Sequence, residues 1–357
     1  MIEDLKKPEF ESERDACGIS ALVDLNQNAT KDIVNTTLNA LCDLDLRGGK
    51  LEDTGDGAGM MLRSNALRKF LEPHLPNGKN IPENEEIFVG NVFVDKTDAA
   101  NIPALISRMN ELMQKEGIHT ASWRKLNVDK DALGNRARDR MPIPLQLLFA
   151  KGFNTAEKLP LALYRAKLAV SAAMSSVDVL SLEPSVVTYK AMSTGKQLAN
   201  FYKDDFAHPD FITEAALSHT RFATNVLSRF ALAQPFSLLC HNGEINTIAA
   251  LRASTRDLEL SLRLRDSVLM RGGSDSGDLD RMIQLFHSNG VPLSESLRRF
   301  FRQVDFGTMS KNDKTYSKAI RRALGPLSAA EGPAAIIAMD DKEIVAKMYH
   351  DYKRLQD

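Results

Sequence analysis

Cysteine and tryptophan are scarce in this chain. Three cysteines and one tryptophan occur among 357 residues, and no two cysteines form a C-x-x-C pair. Cys17, Cys42 and Cys240 therefore build neither a disulfide framework nor a zinc or iron–sulfur spacing, which points to a reducing, cytoplasmic compartment. A charge excess is also missing. The formal net charge of −1 excludes an electrostatic binder of nucleic acid or of an anionic membrane. No apolar run approaches the roughly eighteen residues of a membrane span. The opening stretch MIEDLKKPEFESERDA lacks the apolar segment of a secretory signal. Low-complexity linkers and internal repeats are absent too. What remains, 43% hydrophobic and 26% charged residues, is the composition of a soluble globular domain.

The sixteen residues ahead of Cys17 carry six acidic and three basic side chains, yet GISALVDL (18–25) follows as an apolar run of strand length. Thr30 predicts the cap of a helix whose stripe is Val34, Leu38, Leu41 and Cys42, ending at Arg47-Gly48-Gly49. EIFVGNVFVD (86–95) predicts a strand. Ile102, Leu105, Ile106, Met109, Leu112 and Met113 define an amphipathic helix after it. PLQLLF, LALYRAKLAVS and SVVTYK continue an alternation of strand and helix that by itself indicates one large α/β domain. Further on, SHTRFATN (218–225) predicts a strand carrying Arg221, and FSLLCHNGEINT (236–247) a strand broken by an Asn242-Gly243 turn. RGGSDSGDLDRMIQLFHSNG (271–290) predicts a glycine turn opening a helix, and GPAAIIAMDDKEIVAKM (332–348) strand, turn, strand.

Two readings attach to each residue with chemical capacity. Cys17 is either a small buried hydrophobe or, once the leader is removed, an N-terminal nucleophile. In the second case its α-amine, with a pKa near ~8, is the general base for its own thiol. Asn242 and Gly243 form either a hairpin turn or a side-chain amide beside a backbone N–H, two donors converging on an oxyanion. Arg221 is a structural ion-pair residue or a bidentate grip on a carboxylate. Asp275 is a helix cap or the partner of an ammonium group. GDGAG (55–59) is neither a dinucleotide fingerprint nor a phosphate loop, and reads as a backbone turn lining a site. His219 and His241 have no further ligand at metal spacing and read as core histidines. Cys42 and Cys240 read as buried.

In order along the chain, ERDACGI, LRGGKLEDTGDGAGMML, HTRFATNVLSRFALAQPFSLLCHNGEINTI, GGSDSGDLDRMIQL and EGPAAI resemble one family. It is the N-terminal class II glutamine amidotransferase domain of the glutamate synthase large subunit, and the resemblance spans residues 13 to 346. It implies an α+β fold, a four-layer α/β/β/α sandwich of the N-terminal-nucleophile hydrolase type. Residues 1–16 would be a propeptide and 17–357 the amidotransferase domain. It further implies that Cys17 attacks the side-chain amide of L-glutamine while Asn242 and Gly243 hold the oxyanion. Arg221 would bind the substrate α-carboxylate and Asp275 its α-amine, and a glutamyl thioester would yield glutamate and ammonia. No cofactor is implied in this chain; FMN and an iron–sulfur cluster would belong to a synthase subunit or domain that accepts the ammonia. Two departures stand out. VLSRFAL, with Ser228 and Phe230, replaces a Pro- and Trp-bearing loop, and YHDYKRLQD replaces an Asn-Gly-Leu-Arg-Pro segment. They leave a second expectation, a non-catalytic glutamine-binding or assembly module on the same scaffold. A third, an amidohydrolase for another amide, is opposed by the pairing of Arg221 with Asp275.

Overall fold

The computed structural model describes residues 17–75, 82, 85–221, 228–301, 310–324, 330–332 and 334–349. The leader, residues 222–227 and the tail from 350 lie outside the described residues.

Apolar alternation places one sheet at the centre. Its strands are β1 (Gly18–Val23), β4 (Ala58–Arg63), β9 (Val186–Ala191) and β10 (Ala215–Thr220), in the order β1-β10-β4-β9. Successive strand residues face opposite ways. Met60 and Leu62 of β4 join Val34, Leu38 and Leu41 of the Lys31–Asp43 helix, whereas Met61 joins a separate cluster with Leu217, Leu239, Leu279 and Met282. Thr30 caps that helix, accepting from Ile33 N at 3.3 Å. Cys42 is only half-buried, contrary to the sequence reading, because one helical step of about 100° carries it off the stripe that Leu41 occupies.

On the Met61 side lies a three-stranded sheet, β11 (Leu239–Gly243), β12 (Ala334–Met339) and β13 (Ile344–Tyr349). Cys240 and Asn242 of β11 face the first sheet, with Cys240 Sγ 3.9 Å from Ser218 O. His241, on the opposite side, meets Ser276 of the Asp275–Ser288 helix. The order is thus helix, sheet, sheet, helix, the four layers that the family resemblance implies.

A second four-stranded sheet comprises β5 (Ile87–Val94), β6 (Ser122–Lys125), β7 (Ile143–Ala150) and β8 (Val177–Ser181), in the order β6-β7-β5-β8. Phe88, Val92, Leu145 and Leu147 pack with Met109 and Leu163 of the Ile102–Gln114 and Leu159–Ala173 helices. β2 (Lys50–Leu51) and β3 (Thr54–Gly55) make a short hairpin. Every pairing between these strands is antiparallel. The α/β reading from alternation alone is therefore corrected to α+β: order along the chain does not say which strands pair, and β1 pairs with β10, about two hundred residues on. Among the described residues no helix is long and apolar enough to cross a membrane.

Candidate active site

The antiparallel register puts the start of β1 beside the end of β10, with Gly18 opposite Thr220. Gly18 N donates to Thr220 Oγ1 at 3.1 Å. A β-carbon at position 18 would lie 2.8 Å from Leu44 Cβ and 2.9 Å from Thr220 Oγ1, so only glycine lets this strand close down. Cys17, 8% exposed, is thereby held where β1 begins. Its carbonyl accepts a hydrogen bond from Asn242 Nδ2 at 2.9 Å. The structure thus joins the proposed nucleophile to the proposed oxyanion donor. An amide NH2 has two hydrogens, so holding Cys17 leaves one for a substrate oxygen.

Asn242 and Gly243 are not a hairpin turn. They are the last residues of β11, opposite Ala335 and Ala334. The Asn-Gly signal instead reflects Gly243 at φ +136°, a conformation that glycine takes without strain. Two clamps fix this strand end. The Gln234 side chain brackets the residue before it, with Nε2 donating to His241 O at 2.9 Å and Oε1 accepting from His241 N at 2.7 Å. Beyond it, Asp275 Oδ2 accepts from Ile245 N at 3.1 Å. Asp275 Oδ1 accepts from Ser276 N at 2.6 Å and from Ser276 Oγ at 3.1 Å, and Ser276 Oγ also meets His241 Nδ1 at 2.7 Å.

The helix-cap reading of Asp275 is corrected. Ser274 is the cap, accepting from Gly277 N at 3.0 Å, and Asp275 is the first helical residue. A carboxylate there gains from the positive end of the helix dipole. It accepts three hydrogen bonds of the roughly four that its lone pairs allow, leaving capacity for an ammonium group.

Arg221 lies one residue past β10 rather than within it. Its φ is +96°, and its backbone N–H bonds to Gly57 O. A bulky residue held there stores strain, and such strain clusters at functional sites. GDGAG supplies that acceptor: Asp56 and Gly57 link β3 to β4, and the rest of the motif lies in those two strands. Gly59 completes the contact: a β-carbon there would sit 2.4 Å from Gln234 O.

His219 Nε2 lies 3.2 Å from His241 O. Burial holds the His219 ring down to about 3 and the His241 ring to about 4, so both are neutral near pH 7. They bridge strands, as core histidines do, and among the described residues no three ligand-type side chains gather for a metal. Burial drives the Cys240 thiol pKa well up, which makes it inert.

Sequence reasoning missed Thr220, Gln234, Ser276 and Lys190. Lys190 Nζ donates to Ala231 O at 2.9 Å and Pro235 O at 3.2 Å, fastening the segment that presents Gln234. Burial lowers its pKa to about 7. A lysine in the apolar run SVVTYK was the available signal.

A buried cysteine opens the first strand with its carbonyl held by Asn242, and Arg221 follows the strand paired with it. The chain belongs to the class-II glutamine amidotransferases, whose family profile matches residues 17–351. It is 30% identical over 366 residues to ferredoxin-dependent glutamate synthase 2 of Synechocystis sp., covering 96% of this chain and 23% of that protein. It is 29% identical over 361 residues to the glutamate synthase (NADPH) large chain of Bacillus subtilis, covering 96% and 23%. The glutamate synthase (NADH) of Saccharomyces cerevisiae is 30% identical over 309 residues, covering 80% of this chain and 14% of that protein. The chain thus spans less than a quarter of the length of each of these relatives.

Proposed function

We propose that this domain hydrolyses L-glutamine to L-glutamate and ammonia, with Cys17 as nucleophile after removal of residues 1–16. The observation that carries the reading is the Asn242 Nδ2 to Cys17 O hydrogen bond, which joins residues 225 positions apart. The family match, which begins at residue 17, supports the same boundary.

In this mechanism the α-amine of Cys17 takes the thiol proton and Sγ adds to the side-chain amide carbon of glutamine. Negative charge collects on the amide oxygen, where the second Asn242 N–H and the Gly243 N–H receive it. The α-ammonium returns the proton to the departing nitrogen, the C–N bond breaks, and ammonia leaves behind a glutamyl thioester. Water adds to the thioester carbon with the same amine as base, releasing glutamate and restoring the thiol. Arg221 takes the substrate α-carboxylate and Asp275 its α-ammonium. All of these groups belong to the chain itself, and no cofactor is assigned to it.

The glutamate synthase relatives support a synthase-type domain or subunit as the destination of the ammonia, and on the family resemblance any FMN and iron–sulfur cluster would lie on that side. A reducing cytoplasm suits a working thiol. The test is the intact mass of purified protein together with ammonia release from glutamine. Cys17 at the N-terminus and activity abolished by Cys17→Ala are expected. A retained leader on active protein, or activity that survives the substitution, refutes the mechanism.

A further inference from the structure

The β11 strand and the Asp275–Ser288 helix each have an end facing away from Cys17. There a cavity of about 430 Å³ opens, bordered by Leu238 just before β11 and by Ser288 and Gly290 at the helix end. Leu159, Val186, Val291 and Pro292 give it an apolar wall. Its volume falls within the range of small-molecule sites.

Glu183, in the turn between β8 and β9, borders this cavity and is 4% exposed. Its Oε1 is buried and receives no hydrogen bond. A buried carboxyl oxygen without a donor is exceptional, because its desolvation goes uncompensated. Burial raises this carboxyl pKa to about 8, against the pull of the Lys167 ammonium. Lys167 does not reach it with a hydrogen bond; its Nζ is spent on Ser237 Oγ and, at 2.9 Å, on Gln284 Oε1.

Three of the neighbouring acids are already engaged. Asp340 Oδ1 accepts from Lys342 N and from Glu343 N, each at 2.7 Å, and its Oδ2 lies 3.4 Å from His287 Nε2. Glu86 pairs with Lys151 at 2.9 Å, and Glu343 accepts from Ser294 N at 3.0 Å. Acids outnumber bases on the lining, with Glu86, Glu183, Asp340, Asp341 and Glu343 against Lys151, Lys342 and His287. Such a lining attracts a cation and repels an anion. Apolar walls and a single buried acceptor without a donor suit an organic cation better than a metal ion, which needs several hard oxygen ligands.

We propose that this cavity binds a small amphipathic amine, its ammonium group donating to Glu183 and its apolar body lying against Leu159, Val186 and Val291. The site is separate from Cys17 and does not depend on the glutamine reading. Calorimetric titration at about pH 8.5, where Glu183 is ionised, of the purified chain with benzylamine and with benzyl alcohol, a neutral probe of the same shape, tests it. Benzylamine is expected to bind about ten- to a hundredfold tighter, the factor that a charge-assisted hydrogen bond carries. Glu183→Gln removes that preference, and alkylation of Cys17 leaves it intact. Equal affinity for the two probes, or no benzylamine binding by the unsubstituted protein, overturns the proposal even if the variant fails to fold. A preference unchanged in folded Glu183→Gln, or lost on alkylation of Cys17, overturns it as well.

Discussion

The two ends of the Asp275–Ser288 helix, about 20 Å apart at 1.5 Å per residue, are built by opposite rules. At the N-terminal end polar groups are tied to one another. Asp275 holds Ile245 and Ser276, Ser276 holds His241, and Gln234 brackets His241 from the other side. At the C-terminal end His287 and Ser288 border a cavity in which Glu183 Oε1 is bonded to nothing. The first arrangement fixes atoms in place, as a step on one carbonyl carbon requires. The second leaves an acceptor unspent, which suits a partner that comes and goes. One helix borders both: Asp275 and Ser276 are tied into the first arrangement, and His287 and Ser288 line the second.

Breaking the tied end gives the largest effect. On the proposed mechanism, Asn242→Ala lowers kcat for glutamine hydrolysis by about a hundred- to a thousandfold, the cost of one oxyanion donor. Steady-state kinetics checks this, and a change confined to KM would contradict the oxyanion role. Gln234→Leu comes next. It strips the Gln234 acceptor from His241 N while His219 Nε2 still reaches His241 O, and lowers stability by about 1–3 kcal/mol, read from urea unfolding midpoints. A near-neutral result would mean that Gln234 does not hold β11 in place.

At the spared end the effect is smaller and depends on pH. Burial raises the Glu183 pKa from 4.5 to about 8, so between these values the folded state binds the proton that the unfolded state has released. Stability from this group is therefore present below about pH 4.5 and is lost as pH rises towards 8. Asp280 and the buried Lys167 also act on this group, and Lys167, whose pKa is lowered to about 8, adds a term of opposite sign above that pH. The clean quantity is a difference: Glu183→Gln gains stability relative to the parent protein between pH 5 and pH 8. Paired denaturation curves across that range check it, and a constant offset would show that Glu183 does not titrate there. The smallest effect belongs to neither end. Half-buried Cys42, changed to serine, shifts stability by less than about 0.5 kcal/mol and leaves glutamine turnover unchanged, which the same two assays measure.

How much of this was legible in the sequence depended on how local the physics was. The Thr30 cap, the Ile102–Gln114 helix and the β1 strand follow from neighbours a few residues apart, and all stand as read. Arg221, Asn242, Gly243 and Asp275 were recognisable as residue types, but their backbone settings were not. A strand partner ninety residues away turned an Asn-Gly turn into a strand end, and the cap moved one residue to Ser274. Gln234 was invisible as a clamp because its bonds depend on β11 lying beside the β10–β11 connection. Glu183 looked like any loop glutamate in SLEPS. Only the packing of β8, β9 and the helix end reveals that it is buried and unpaired.

The bond from Asn242 to Cys17 also has a consequence in time. A chain grows from its N-terminus at about 5–20 residues per second, and the partner of Cys17 lies 225 positions later. The cysteine therefore leaves the ribosome at least about ten seconds before the amide that positions it. On the proposed mechanism, synthesis itself therefore delays assembly of the glutamine-cleaving centre until most of the domain exists.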